Sequence, residues 1–164
     1  MAIQQPVVSL HNQVALITGA GQGVGQGIAL AMADAGARIA VTGRTLEKLQ
    51  HTCDLIRERG AQAIAIQCNV MDDESLQHTV QEVVDHFGTI DILVNNAQEM
   101  CLGSLLDLSD EQLDNGWRSG PRATFKLMKL CYPHLKPGGC IVNLASTAAK
   151  RWDSSGYGGY AAVK

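Results

Sequence analysis

The sequence predicts an α/β protein built as a doubly wound parallel sheet, with helices on both faces in three layers. Short runs rich in Val and Ile alternate with longer stretches of helical period along the chain, which is the pattern of consecutive βαβ units. The helical stretches close on glycines, at Gly36, Gly60 and Gly88. No internal repeat, charged tail or low-complexity linker interrupts the alternation, so all 164 residues are expected to form one domain. Five strands in the order 3-2-1-4-5 give the simplest topology.

"VALITG" from Val14 reads as the first strand, and "GVGQGIALAMADAG" as a helix that starts inside the glycines and stops near Gly36. "RIAVTG" from Arg38 is the second strand. Thr45 is placed to cap the next helix, whose Leu46, Leu49, Cys53 and Ile56 share one face. "AIAIQCNV" is the third strand. Asp72 is placed to cap a helix in which Leu76, Val80, Val83, Val84 and Phe87 recur at three- and four-residue steps. "IDILVNNA" is the fourth strand. A long helix is expected from Asp110 to Leu135, bent or broken where Gly116, Gly120 and Pro121 fall in its middle. "PGGCIVNLAS" then reads as a turn and the fifth strand.

Composition narrows the function classes. Apolar residues make up 46%, charged residues 18% and aromatics only 4%, with a formal net charge of −3. Such a chain has no basic stripe for nucleic acid or anionic membrane, and few rings for stacking bases. Cys53, Cys68, Cys101, Cys131 and Cys140 show no paired spacing and read as reduced core thiols. His51, His78, His86 and His134 are scattered singles on helices, so no metal site is expected. The segment "MAIQQPVVSLHNQ" does not follow a signal-peptide pattern, and no apolar run approaches the roughly 18 residues of a membrane span, so the cytoplasm is expected.

The best-defined site is "TGAGQGVG", Thr18 to Gly25, between the first strand and the first helix. Its glycines permit positive φ and close backbone approach. The helix start behind them offers free N–H groups and a positive dipole end to a pyrophosphate. The spacing is T-G-x-x-x-G-x-G rather than G-x-G-x-x-G. In a Rossmann-like dinucleotide fold, an acid about 20 positions on would hold the adenosine ribose, whereas an arginine would accept a 2′-phosphate. Here Gly43 stands where the acid is expected and Arg44 follows, so NADP(H) is expected over NAD(H). A solvated arginine at a helix start is the other reading of Arg44. Near the end of the sequence, Tyr160 and Lys164 lie four apart, close enough on a helix to act as a pair in which the ammonium favours phenolate.

Together "TGAGQGVG", "NNA" at Asn95, Ser146 and "YAAVK" resemble the short-chain dehydrogenase/reductase family, in the family's order and over nearly the whole chain. The resemblance implies an oxidoreductase that moves a hydride between NADP(H) and a small alcohol or ketone. Ser146 would orient and polarise the substrate oxygen, Tyr160 would be the general acid or base, and Lys164 would favour the phenolate while holding the nicotinamide ribose. The implied cofactor site comprises Thr18, Gly19, Gln22, Gly23, Val24, Gly25, Arg44, Asn69, Val70, Asn95 and Ala97, together with Tyr160 and Lys164. A homo-oligomer, dimer or tetramer, is implied as well. Tyr157, separated from the lysine by six residues in the manner of divergent enoyl reductases, reads instead as a wall of the site.

Three positions depart from the family pattern. Gln98 replaces the glycine that usually follows N-N-A. Gly120 stands where an asparagine usually holds a relay water, leaving only a backbone carbonyl for that task. Asn69 replaces an aspartate at the adenine, where its amide oxygen can accept the same hydrogen bond. Met100, Leu102 and Trp152 are candidates for the substrate side. A rival reading of a different class, suggested by Gln98, Gly120 and the abrupt end of the sequence, is a degenerate cofactor-binding or interface protein. Since the family's sheet continues beyond the fifth strand, residues 1–164 alone are expected to bind nucleotide weakly and not to turn over substrate at a useful rate.

Overall fold

The computed structural model describes residues 8–104, 106–150 and 156–164. Five parallel strands pair in the order β3-β2-β1-β4-β5: β1 (Val14–Thr18), β2 (Arg38–Gly43), β3 (Ala63–Gln67), β4 (Ile90–Asn95) and β5 (Leu135–Asn143). Every residue of β1 and β4 is buried, because side chains that alternate across a central strand meet a helical layer on each side. On one face Ala15, Ile17, Ile39 and Val41 pack with Ala29 and Ala33 of α1 (Gly23–Asp34) and with Leu49, Cys53 and Ile56 of α2 (Leu46–Arg57). On the other, Val14, Leu16, Ala40 and Leu93 pack with Leu76, Val80 and Val83 of α3 (Asp73–Phe87) and Leu127 and Cys131 of α5 (Ala123–Cys131). The third strand is shorter than its apolar run, ending at Gln67 where the chain turns toward α3.

The helix ends separate scaffold from site. Asp72 accepts from the Ser75 N–H as expected, and Gly88 closes α3 in the left-handed region at φ 80°. Ser109 and Gln112 form a reciprocal capping box on α4 (Asp110–Trp117). Thr45, by contrast, stands at the N-cap of α2 with no capping hydrogen bond from its side chain. The long helix is interrupted where a bend or break is expected, but by a change of helical form and not by a loop. A π-helical segment, Arg118–Arg122, joins α4 to α5 and carries Pro121, and a 3₁₀ turn over Tyr132–His134 ends the helical run before Leu135 enters β5. A proline ring clashes with the carbonyl four residues back in an α-helix, and the wider π turn relieves that clash. On β5 the ladder shifts register between the partners of Ile90 and Ile92, with Leu135 and Cys140 as the paired residues, so Lys136–Gly139 bulge out as the expected turn.

Four of the five cysteines are buried. Desolvation pushes the Cys53 thiol up to about 11 and that of Cys131 to about 12, so both stay protonated at neutral pH. Cys140 departs from the expected core position: it is exposed on β5, which among the described residues pairs on one side only. No helix among the described residues is long and apolar enough to cross a membrane.

The start of α3 is tied to the π segment and α5 by one carboxylate. Asp73 accepts from Lys126 Nζ at 3.0 Å and from Arg122 Nη2 at 2.9 Å, and these two bonds hold its carboxyl below the ordinary value of 3.8. A depressed carboxylate contributes stability above its unfolded pKa and loses it as pH falls through the folded one. Asp73→Asn should therefore melt below the unsubstituted chain at pH 7. The difference should shrink toward zero as pH drops below 3.8; a gap in thermal midpoint that stays constant through the acid range would refute this role.

Candidate active site

A groove of about 400 Å³ opens at the carboxyl edge of the sheet, floored by the glycine turn and walled by the segments after β2, β3 and β4. Gly19 (φ 64°) and Gly23 (φ 60°) adopt the left-handed region that the turn needs. A Cβ at Gly25 would run into the Gly19 carbonyl and lie 2.5 Å from Asn96 Nδ2, so this position sets how closely α1 packs on the turn. Gln22 is the N-cap of α1 but makes no capping bond. Its Oε1 instead accepts from Lys48 Nζ at 2.6 Å. Both helices that begin at the groove, α1 and α2, thus lack a side-chain cap, whereas α3 and α4 have one. Uncapped N–H groups beside glycines and two cations suit phosphate oxygens, so the residues present fit a dinucleotide with a phosphorylated ribose.

Gly19, Gln22, Gly23, Arg44, Asn69, Val70 and Ala97 all line this groove. Thr18 and Gly25 lie behind it as buried supports, and the Val24 side chain is exposed at the start of α1. Arg44 makes a loose ion pair with Glu99 across the mouth, 3.7 Å apart with side chains 67% and 40% exposed. Such a pair is worth about 0–1 kcal/mol, less than a charge-assisted contact to phosphate. Glu99 is therefore a displaceable partner. Asn69 Oδ1 accepts from the Met71 N–H at 3.2 Å, so one lone pair of the amide oxygen expected to serve the adenine is already taken.

The second part of the site is a cavity of about 190 Å³ that adjoins the groove. Ala97 and Gln98 line both, and Asn95, Gly120, Thr124 and Lys164 line the cavity. Asn95 Nδ2 donates to Asn143 Oδ1 at 2.9 Å, while its own Oδ1 is buried without a partner among the described residues. Lys164 Nζ donates to the Leu144 carbonyl at 2.9 Å and lies 5.6 Å from the centre of the Tyr160 ring. Burial pushes the Lys164 amine below its ordinary 10.5. Tyr160 sits on α6 (Gly158–Ala162), which packs on the 3₁₀ turn that follows Ser146. Ser146 Oγ accepts from the Ala148 N–H at 3.2 Å, which leaves the hydroxyl its proton to donate. Tyr157 precedes α6, partly exposed, and meets Tyr160 edge to face at 6.2 Å. Met100 and Leu102 are exposed after β4, and Trp152 lies outside the described residues. The Gly120 carbonyl already accepts from the Ala123 N–H, with a second lone pair left over.

Sequence reasoning missed four residues that shape the site. Asn96 Nδ2 donates to the carbonyls of Thr18 at 2.8 Å and Gly19 at 3.2 Å, so it braces the glycine turn. Ser119 Oγ accepts from the Glu99 N–H at 2.9 Å and donates to the Asn115 carbonyl at 2.7 Å, fixing the loop after β4 to the bent helix. Glu99 meets Arg44 and Lys48 meets Gln22 only after folding, with no shared periodicity to reveal either pair.

Known proteins agree with this geometry. A family model described as short chain dehydrogenase matches residues 13–164. Versicolorin reductase 1 of Aspergillus parasiticus is 36% identical over 141 residues, which is 85% of this chain and 54% of that protein. A hydroxynaphthalene reductase-like protein of Metarhizium brunneum is 37% identical over 142 residues, 86% of this chain and 53% of that one. The chain thus spans about half the length of the curated relatives it matches. Among solved structures, a short chain dehydrogenase from Burkholderia cenocepacia in complex with NADP superposes with a TM-score of 0.90 at 36% identity, covering 94% of this chain and 64% of that one. A blue fluorescent protein from a metagenomic library, in complex with NADPH, does so with 0.85 at 28% identity, covering 95% and 64%. With a glycine turn, an Asn-Asn-Ala segment and a Tyr-Lys pair at the carboxyl edge of a 3-2-1-4-5 sheet, this chain belongs to the short-chain dehydrogenase family of oxidoreductases.

Proposed function

We propose that this chain binds NADP(H) in preference to NAD(H) and interconverts a ketone and an alcohol, with Tyr160 as general acid/base. The observation that carries this reading is the shared wall: Ala97 and Gln98 line both the cationic groove and the cavity of Lys164. A dinucleotide with its phosphates on the α1 N-terminus would thereby reach the lysine with its far end. The glycine turn, Arg44 and Lys48 hold the phosphates, and Asn69 and Val70 flank the adenine. Bound NADP(H) supplies or takes up the hydride. In reduction, Ser146 donates a hydrogen bond to the carbonyl oxygen and Tyr160 gives that oxygen its phenolic proton. The Lys164 ammonium stabilises the phenolate left behind. In oxidation the proton returns to Tyr160.

A homo-oligomer is part of the proposal, supported by Leu113, Trp117 and Phe125, which expose apolar surface along α4 and α5. Free thiols at all five cysteines support a reducing compartment such as the cytoplasm.

Arg44→Asp should shift preference toward NAD(H) by roughly tenfold to a hundredfold in affinity, since charge-assisted hydrogen bonds contribute about 1.5–3 kcal/mol. Glu99→Gln should act in the opposite sense, tightening NADPH by up to about fivefold because a competitor for Arg44 is gone. Fluorescence titration with both cofactors decides. Unchanged preference in Arg44→Asp would leave Arg44 as a surface arginine.

Tyr160→Phe should lower turnover about 10²–10⁴-fold and leave NADPH affinity close to normal, while Tyr157→Phe is mild. The assay is NADPH oxidation against a ketone panel that includes a hydroxynaphthalene-type substrate. It is run on this chain and on a chimaera in which the remaining segment of a 36%-identical relative follows Lys164. Equal losses at both tyrosines would refute the assignment.

A further inference from the structure

The loop after β4 and the bent helix meet at an unusual contact. Gln98 Nε2 donates to the Val163 carbonyl at 3.1 Å. A Cβ built on Gly120 would stand 2.7 Å from that same nitrogen and 2.8 Å from Gln98 Cδ. Such distances are too short for real side-chain carbons, so the glutamine amide fills the volume that any larger residue at 120 would need. Gly120 is not among the positive-φ glycines, so its backbone does not call for glycine. Space does.

We propose that Gln98 is a positioning residue for Lys164: its amide ties the backbone between α6 and the lysine to the loop after β4, and Gly120 is glycine because that amide occupies its side-chain space. This rests on the reading of Lys164 as part of the active site. The final carbonyls of a helix have no partner within the helix, and α6 is only five residues long. Val163, buried just beyond it, gives its carbonyl to Gln98. Lys164 then sends its ammonium to the Leu144 carbonyl. The backbone before the lysine and the tip of its side chain are thus pinned to the ends of two neighbouring strands, β4 and β5. Gln98 is also the partition between the groove and the lysine cavity, so a ligand against that wall and the last turn of the helix touch the same side chain.

The test compares Gln98→Met, Gln98→Gly, Gly120→Ala and the double variant Gln98→Gly/Gly120→Ala in the 164-residue chain. The pH midpoint of Lys164 acylation is mapped by mass spectrometry beside the thermal midpoint. Gln98→Met keeps the volume and loses the donor. It and Gly120→Ala should each raise the Lys164 midpoint toward that of an ordinary lysine, because a loosened turn lets water reach the amine. In the Gln98→Gly background, Gly120→Ala should change neither midpoint further. Where turnover is measured, kcat should fall by up to about a hundredfold with NADPH affinity kept, the pattern of a misplaced reacting group. A Gly120→Ala effect of equal size with and without Gln98 overturns the shared-space claim. A Lys164 midpoint unmoved in Gln98→Met overturns the positioning claim. Absence of NADPH oxidation in the unsubstituted chain and its chimaera would sink the oxidoreductase reading, while the labelling midpoints would still decide this contact.

Discussion

The site depends on a brace between the ends of β1 and β4. Thr18 Oγ1 accepts from the N–H groups of Asn96 and Ala97, each at 3.0 Å, and donates to the Val94 carbonyl. Asn96 answers by donating its side-chain amide to Thr18 and Gly19. Two loops leaving adjacent strands would otherwise diverge with unsatisfied backbone groups at a buried edge, at about 1–3 kcal/mol for each. The brace satisfies these groups within a few ångströms of the glycine turn. Because Gly25 brings α1 into contact with both Gly19 and Asn96, the helix start, the glycine turn and the loop after β4 form one rigid piece. A ligand on the turn is therefore held at a fixed place relative to Ala97 and Gln98.

The fold was legible because its determinants are local. Runs such as Val14–Thr18 and Ile90–Asn95 are apolar because they are central strands, and the Leu76–Val80–Val83–Phe87 stripe is helical because one face meets the sheet. What escaped local reading were points where tertiary contacts override a local signal. Gly116, Gly120 and Pro121 announce a bend or break, but not that the chain there takes a π-helical form between two α-helices. Thr45 has the chemistry of a cap, yet its helix start faces the groove uncapped. Asp91 is a charge inside a central strand, and its Oδ2 accepts from the first N–H of β1 at 2.8 Å, a contact 77 residues distant in sequence.

For the site, the residues set by backbone geometry were readable, since a strand, glycines and a helix start follow one another in sequence. The residues set by convergence were not. Glu99 is one acid among 16 until folding brings it across from Arg44. Gln98 and Gly120 look like two separate defects in a motif, because nothing in their spacing says that one side chain fills the other's space. Asn95 and Asn96 are adjacent and alike, but the pleat sends the first to Asn143 beside the lysine cavity and the second to the glycine turn.

These contacts decide what positions Tyr160 and Lys164. A helix of five residues has no stability of its own in water, so α6 takes its place from what touches it. The Gly103 N–H donates to the Gly156 carbonyl just ahead of it, and Gly103 bridges Tyr157. Gly159 leaves no room for a Cβ against Leu108, with the Cys101 carbonyl close by. Val163 packs beside Gly116, and Gln98 takes its carbonyl. Most of these partners belong to residues 98–108, the segment that leaves β4 directly after the brace. Tyr160 and Lys164 are thus carried by the same loop that walls the glycine-floored groove. Order imposed on residues 97 and 98 by a bound dinucleotide would pass to the tyrosine and lysine through hydrogen bonds and packing already in place.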